Sequence, residues 1–342
     1  MTRPLIPHRG KAFEALYASL QGALQTIFVT QRPVYVSSSS ATGLMEAGVR
    51  CAPEGRVLSI VNGAFSARFA SIARACGREI DVLEVPYGEI ATLDMVKDAL
   101  AKQRYAAVTV AHSETSTGAL HDVRGIAALA HEAGAVALVD SVTGIGGVEL
   151  RFDEWALDYA LTGSQKALAL PPGLAFAAAT PAFIDAAKHT ARRGLYFDLV
   201  EFDAYGAKNQ TPNTPAINLF YAAEVQLAAI AAEGMEARWA RHRRMAEMTW
   251  AWVDHVRSEF GDAFGVLARE GHRTPTVTSI TIPATVTAST LVKGVAERGF
   301  TIGNGYGKNR ETTFRIGHMG DHDPARLELC LAACEEVVRE LV

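Results

Sequence analysis

A chain of 342 residues, 49% hydrophobic and 20% charged, is composed like a folded enzyme with a large core and unlike a disordered or fibrous protein. A formal net charge of −4 removes the electrostatic case for a nucleic-acid or anionic-membrane partner, and no apolar run approaches the roughly 20 residues of a bilayer span. "MTRPLIPHRG" lacks the apolar centre of a secretory signal, and Cys51, Cys76, Cys330 and Cys334 are scattered without a C-x-x-C pair, so a cytoplasmic protein with reduced thiols and no metal site is expected.

The stretch "GKAFEALYASLQGALQTIF" has the apolar period of an amphipathic helix, and "RPVYVSSSS" reads as a short strand ending in serines. "SATGLMEAGVR" then opens a helix, with serine and threonine as cap candidates. There follow the strand "RVLSIVN", the helix "FSARFASIARACG", the strand "EIDVLEVP", the helix "LDMVKDALAKQ", the strand "AAVTVAHSE" and the helix "VRGIAALAHEAG". "AVALVDSV", "DYALTGSQ" and "LAFAAAT" are three further apolar strands. Such alternation implies an α/β domain with right-handed crossovers and a mostly parallel sheet covered on both faces. Ligand groups in such sheets gather beyond the carboxyl ends of the strands. From about residue 216 the pattern changes to a long helical stretch with a break near Gly234. The strand "TVTSITIP", the helix "ASTLVKGVAERG", a strand pair around "FTIGNGYG" and "TTFRIGHMG", and a terminal helix from Pro324 complete the chain. The expected division is a large domain over residues 1–235 and a smaller C-terminal α+β domain over residues 236–342.

Several polar residues stand where strands should stop. Ser40 to Thr42 open a helix whose free N–H groups and dipole suit either a phosphate or an ordinary side-chain cap. "HSETSTG", residues 112–118, offers hydrogen-bonding side chains after another strand. Asp140 ends the apolar "AVALVD", where a carboxylate needs a cationic or donor partner unless it caps a helix. Lys166 leaves the "DYALTGSQ" strand and precedes an apolar run broken by Pro171, Pro172 and Gly173, an unusual setting for a lysine. The pair reads either as a simple ion pair or as the two ends of a pyridoxal phosphate site. In the second reading the lysine forms a Schiff base and the aspartate holds the pyridine nitrogen protonated.

Six motifs in one order, "VNGAFSARF", "HSETSTG", "LVDSVTGIGG", "LTGSQKAL", "TPNTPAI" and "FRIGHMG", closely resemble the class V, fold-type-I pyridoxal-phosphate aminotransferases. The nearest branch is similar to the serine–pyruvate/alanine–glyoxylate group. The resemblance implies a seven-stranded-type sheet sandwiched by helices, and a homodimer with shared active sites. It further implies that Lys166 carries the Schiff base and moves the substrate proton, that Asp140 pairs with the pyridine nitrogen, and that Phe65 stacks on the ring. Thr115 would lie near the ring 3-oxygen. Ala41, Thr42 and Gln165 would hold the phosphate, with Thr211 and Thr214 reaching it from a partner subunit. Arg315 would clamp the substrate carboxylate with its two-pronged guanidinium.

Two departures from the family pattern stand out. Ala41 replaces a glycine in the phosphate turn, and "TRPLIPHRG" resembles an arm that in the family follows a Gly-Pro-rich stretch, whereas here Met1 falls inside it. The implied activity is a two-step, ping-pong transfer of an amine from a small amino acid of the alanine or serine type to glyoxylate or pyruvate. Amino-phosphonate or ureidoglycine transaminases and an eliminating lyase are alternatives on the same scaffold, as is an inactive truncated scaffold. A desulfurase is disfavoured, because that branch stacks a histidine where Phe65 stands and uses a loop cysteine, which this chain lacks.

Overall fold

The computed structural model describes residues 3–342. In chain order α1 (Lys11–Phe28), β1 (Val34–Ser37), α2 (Ala41–Cys51), β2 (Val57–Val61), α3 (Ala64–Ala75), β3 (Ile80–Glu84), α4 (Leu93–Leu100) and β4 (Ala107–Ala111) come first. The short hairpin β5 (Ser113–Glu114) and β6 (Ala119–Leu120) follows, then α5 (Val123–Glu132), β7 (Val136–Asp140), β8 (Tyr159–Gly163), β9 (Ala175–Ala179), α6 (Pro181–Lys188) and α7 (Leu199–Gly206). The remainder comprises α8 (Ile217–Glu233), α9 (Met235–Phe260), β10 (Gly265–Val266), β11 (Val277–Thr281), α10 (Ala288–Glu297), β12 (Gly303–Asn304), β13 (Thr313–Gly317) and α11 (Pro324–Leu341).

Seven strands form the large sheet in the order β1-β9-β8-β7-β4-β2-β3. Pairings are parallel from β3 through β8, and β9 runs against both of its neighbours, so it is the one reversed strand. The central strands β4, β8 and β9 are buried along their whole length, which is why their sequences read as continuous apolar runs rather than alternating ones. One sheet face sends Val36, Leu58, Ile60, Val108, Val110 and Val139 against α1, α5 and α8. The other sends Tyr35, Val57, Leu138, Leu161 and Ala177 against α2, α3, α6 and α7. A third cluster lies between α9, α10, α11 and the four-stranded sheet β10-β11-β13-β12.

The long helical stretch breaks where expected, with Gly234 at φ 80 between α8 and α9. Its apolar stripe continues through Met235, Trp239, Met245 and Val253, but the buried positions Arg238 and His242 fall on the same face. Helices α6 and α7 were not expected from the sequence; the first is amphipathic and buries Phe183, Ile184 and Ala187, and the second has little repeating pattern. Their starts are set locally, by Thr180 capping Phe183 N–H and Asp198 capping Val200 N–H.

Because β1, β2, β4, β7 and β8 share one direction, Ser37–Ser40, Asn62–Phe65, His112–Thr115, Asp140 and Lys166 all emerge at one edge of the sheet. Behind that edge, fully buried Tyr159 on β8 stacks on Phe183 and donates to the Leu44 carbonyl at 2.7 Å, fixing α2 on the sheet. Tyr159→Phe is expected to lower the unfolding free energy by about 1 kcal/mol with the fold intact. An unchanged urea midpoint would show that this bond does not hold α2 in place.

Candidate active site

Asp140, 4% exposed, is the last residue of β7. One carboxylate oxygen accepts from the Val142 N–H at 2.9 Å, and no cation is bonded to it among the described residues. Burial pushes its acid up to about 7 and the neighbouring Glu114 adds to the rise, against the opposing pull of the Val142 N–H, Lys166 and Arg68. Lys166 stands in the turn after β8, its backbone carbonyl accepting from the Ala169 N–H at 2.9 Å. Its amine makes no hydrogen bond or ion pair among the described residues. Burial lowers its pKa first, the Arg315 guanidinium lowers it further, and Asp140 opposes both. The structure therefore brings Asp140 and Arg315 each within electrostatic reach of Lys166, without a closed ion pair among the described residues.

Arg315 lies on β13 of the smaller sheet and points across to the larger one. Its Nε donates to the Asn304 carbonyl at 2.9 Å and its Nη1 to the Thr115 carbonyl at 3.2 Å. Its bonds are to neutral carbonyls rather than to a carboxylate, so the full positive charge is oriented yet unneutralised. Burial lowers its pKa somewhat, with Tyr306 and Glu114 opposing.

Phe65 opens α3, and a buried carboxylate fixes it there. Glu114 accepts from Phe65 N at 3.3 Å, Ser66 N at 2.8 Å, Ser66 Oγ at 2.9 Å, Ser116 N at 3.1 Å and Ser116 Oγ at 2.7 Å. A negative group at a helix N-terminus is favoured by the exposed N–H groups and the dipole. The approach is close enough that a Cβ on Gly63 would lie 2.3 Å from the Glu114 carboxyl carbon, so only glycine fits. Tyr306 stacks on the Phe65 ring with centroids 5.0 Å apart, and Arg68 donates to the Tyr306 hydroxyl at 2.9 Å.

At α2, Ser40 is the N-cap residue but its side chain caps nothing, which leaves the first N–H groups of the helix unclaimed by side chains. A Cβ on Gly163 would lie 3.1 Å from Gln165 Oε1 and 3.3 Å from Ala41 Cβ, so the Gln165 amide and this helix start face one small space. Thr42 is half-buried in the first turn. Thr115 is buried, its hydroxyl paired with that of Thr143. Thr211 and Thr214 line a small cleft with Val36, Ser37, Ser38 and Tyr196 of the same chain. The Thr211 hydroxyl donates to the Asn213 carbonyl at 2.7 Å, and the Thr211 carbonyl accepts from Arg9 at 2.6 Å. No bond joins these two threonines to the other candidates among the described residues.

Sequence reasoning missed Glu114, Thr143, Tyr306, Arg68 and Arg238. Glu114, Thr143 and Arg68 lay inside the quoted motifs "HSETSTG", "LVDSVTGIGG" and "VNGAFSARF", and Tyr306 inside the strand segment "FTIGNGYG", without being singled out; Arg238 lay in none of them. The unneutralised set can bind an anionic ring-bearing cofactor and a carboxylate together: a helix start for a phosphate, an aromatic face, a cation-seeking aspartate, a free amine and a free guanidinium.

Residues 37–338 match the family model described as aminotransferase class-V. The chain is 31% identical over 352 residues to the L-aspartate–glyoxylate aminotransferase of Paracoccus denitrificans, covering 99% of this chain and 86% of that one. To the serine–glyoxylate aminotransferase of Arabidopsis thaliana it is 30% identical over 354 residues, with coverages of 100% and 86%. Among solved structures it superposes on an alanine–glyoxylate aminotransferase of Nostoc sp. with a TM-score of 0.91 and 29% identity, covering 98% of this chain and 90% of that one. The match takes in both sheets and every strand end that carries a candidate charge, and on it the chain belongs to the class V aminotransferase family, with the fold-type-I architecture.

Proposed function

We propose that this protein is a pyridoxal-phosphate-dependent transaminase that moves an amine from a small amino acid, of the alanine or serine type, to glyoxylate or pyruvate in two half-reactions. The observation that carries this reading is Lys166: a half-buried amine, unpartnered among the described residues, lying between the charges of Asp140 and Arg315. The three relatives differ in the donor they are named for and share glyoxylate, which supports glyoxylate as the acceptor.

The residues fit the cofactor. Asp140 lacks a cation that a protonated ring nitrogen would supply, and the open start of α2 with Gln165 suits a phosphate. Phe65 supplies an aromatic ring and Thr115 a hydroxyl, paired here with that of Thr143, while Thr211 and Thr214 are proposed to serve the phosphate of a partner subunit in a homodimer. When bound, the cofactor supplies an electron sink for the pair released at the substrate Cα. Lys166 Nζ, whose pKa burial and Arg315 both lower, takes the Cα proton and returns it across the site. Arg315 orients donor and acceptor by the carboxylate they share, which is why one guanidinium serves both half-reactions. The division at residues 235 and 236, placing Arg315 on a separate small domain, and a cytoplasmic setting belong to the same proposal; among the described residues no helix is long and apolar enough to cross a membrane.

Purified protein supplied with pyridoxal phosphate is expected to show a visible band that Lys166→Ala removes. L-Alanine or L-serine should bleach it and glyoxylate restore it. Release of ammonia with no need for an oxo acid would overturn the transaminase reading in favour of a lyase. Arg315→Lys, which keeps the charge but loses the fork, should raise KM for donor and acceptor alike by roughly 10- to 100-fold, in line with about 1.5–3 kcal/mol for a charged hydrogen bond.

Asp140 makes a further prediction for the protein freed of cofactor. Its acid titrates at about 7 when folded and at about 3.9 when unfolded, so the folded chain holds the proton more tightly between those values. Stability should therefore fall as pH rises from about 4 to 7 and level off above. Asp140→Asn removes that penalty and is expected to be the more stable protein at pH 8, by at most ~4 kcal/mol, while losing transaminase activity. Urea unfolding at pH 4, 6 and 8 checks this; a gap that widened toward pH 4 would refute it.

A further inference from the structure

Arg238, on the first turns of α9, is 1% exposed and is the largest fully buried side chain described. Its Nε donates to the Gly146 carbonyl at 3.0 Å and its Nη2 to the Ala167 carbonyl at 2.6 Å. Gly146 belongs to the loop that follows Asp140, and Ala167 is the residue after Lys166. The remaining donors reach Glu233 at 2.5 Å and Asp321 at 3.2 Å, and Asp321 lies in the loop that follows the Arg315 strand. One guanidinium thus joins the three loops behind the three charges of the site. The first two loops are already in contact, since a Cβ on Gly146 would lie 2.9 Å from Leu168 Cδ2.

We propose that Arg238 is a positioning residue, whose planar fork fixes the Lys166 loop against the Asp140 loop and so sets where the lysine amine stands relative to the cofactor ring. This rests on the reading that Lys166 and Asp140 hold pyridoxal phosphate. Burying a guanidinium is costly, and an apolar side chain of similar size would often serve stability as well. What an apolar side chain lacks is two donors held in a fixed plane, aimed at two carbonyls on different loops. Lys166 Nζ sits at the end of a flexible stem, so the place of its backbone decides its reach. A displacement on the order of 1 Å at a reacting group lowers rates about 100-fold.

Arg241, one turn along, provides the comparison. It binds Glu233 at 2.7 Å and the Gly320 carbonyl at 3.0 Å, and among the described residues it makes no hydrogen bond to the Asp140 loop or the Lys166 loop. The test uses full-length protein loaded with pyridoxal phosphate, as wild type, Arg238→Lys, Arg238→Met and Arg241→Lys. Measured are the pH titration of the visible band, kcat and KM for donor and glyoxylate, and the melting temperature. Arg238→Lys and Arg238→Met should shift the titration midpoint by about half a pH unit or more and lower kcat by roughly 10- to 100-fold, with KM changing less than about 3-fold. Arg241→Lys should leave the titration as in wild type even where it lowers the melting temperature.

Folded Arg238 variants with the wild-type titration and kcat would overturn the proposal, as would an equal shift in Arg241→Lys. If neither Arg238 variant folds, Asp321→Ala, which removes the half-exposed anchor of the guanidinium together with a bond from Gln226, is read by the same titration, and no shift there overturns it too. A wild-type protein with no visible band would instead sink the functional reading, and this inference with it.

Discussion

The carboxylate of Asp140 is the constraint around which the carboxyl edge of the large sheet is organised. It ends a fully apolar strand, is nearly inaccessible and has one backbone N–H for company. A buried carboxylate in that state favours its neutral form and becomes a stable anion only beside a cation. Of the positive charges that act on it, Arg68 is bonded to Tyr306 and Lys166 stops short of an ion pair. Such an arrangement is poor for the stability of the bare chain. It makes sense as a site whose missing positive charge arrives with a ligand.

The fold explains how these charges stay close without collapsing onto one another. Parallel β7 and β8 end at the same edge, which puts Asp140 at the end of one and Lys166 in the turn after the other, while Arg315 comes from a separate sheet and is tethered by carbonyl groups. Carbonyls orient a guanidinium without cancelling its charge. The same device recurs in the interior, where Arg238 is aimed at two carbonyls, although there carboxylates complete its shell.

Most of the architecture and the principal charges were legible because they rest on local patterns. Apolar runs of strand length, a carboxylate at the end of one and a lysine on apolar ground need no tertiary knowledge to notice. The break at Gly234 was likewise visible, since glycine readily adopts the positive φ observed there. Helix α7 was not, because a capping aspartate starts it and packing, rather than a strong amphipathic pattern, sustains it; α6 is amphipathic but only eight residues long, so its pattern spans only about two turns. Arg238 left a faint trace: it and His242 occupy positions where the α9 stripe calls for apolar residues. In a run as basic as "ARWARHRR", however, nothing local separates an inward arginine from Arg243 and Arg244, which are exposed. Tyr306 and Arg68 carry no local signal, since their meeting over Phe65 depends on how the two sheets pack.

The five hydrogen bonds that Glu114 accepts bear on motion as well as on shape. Helices ordinarily fray from their ends, where N–H groups lack partners within the helix. In α3 that end is tied to a hairpin two strands away through a wholly buried carboxylate, so the first turn is anchored by tertiary structure rather than by the turns behind it. The aromatic face at Phe65 therefore sits on a stiff mount. The entropy lost in ordering that platform belongs to folding, and a ring-shaped guest arriving there meets a surface that has already stopped moving.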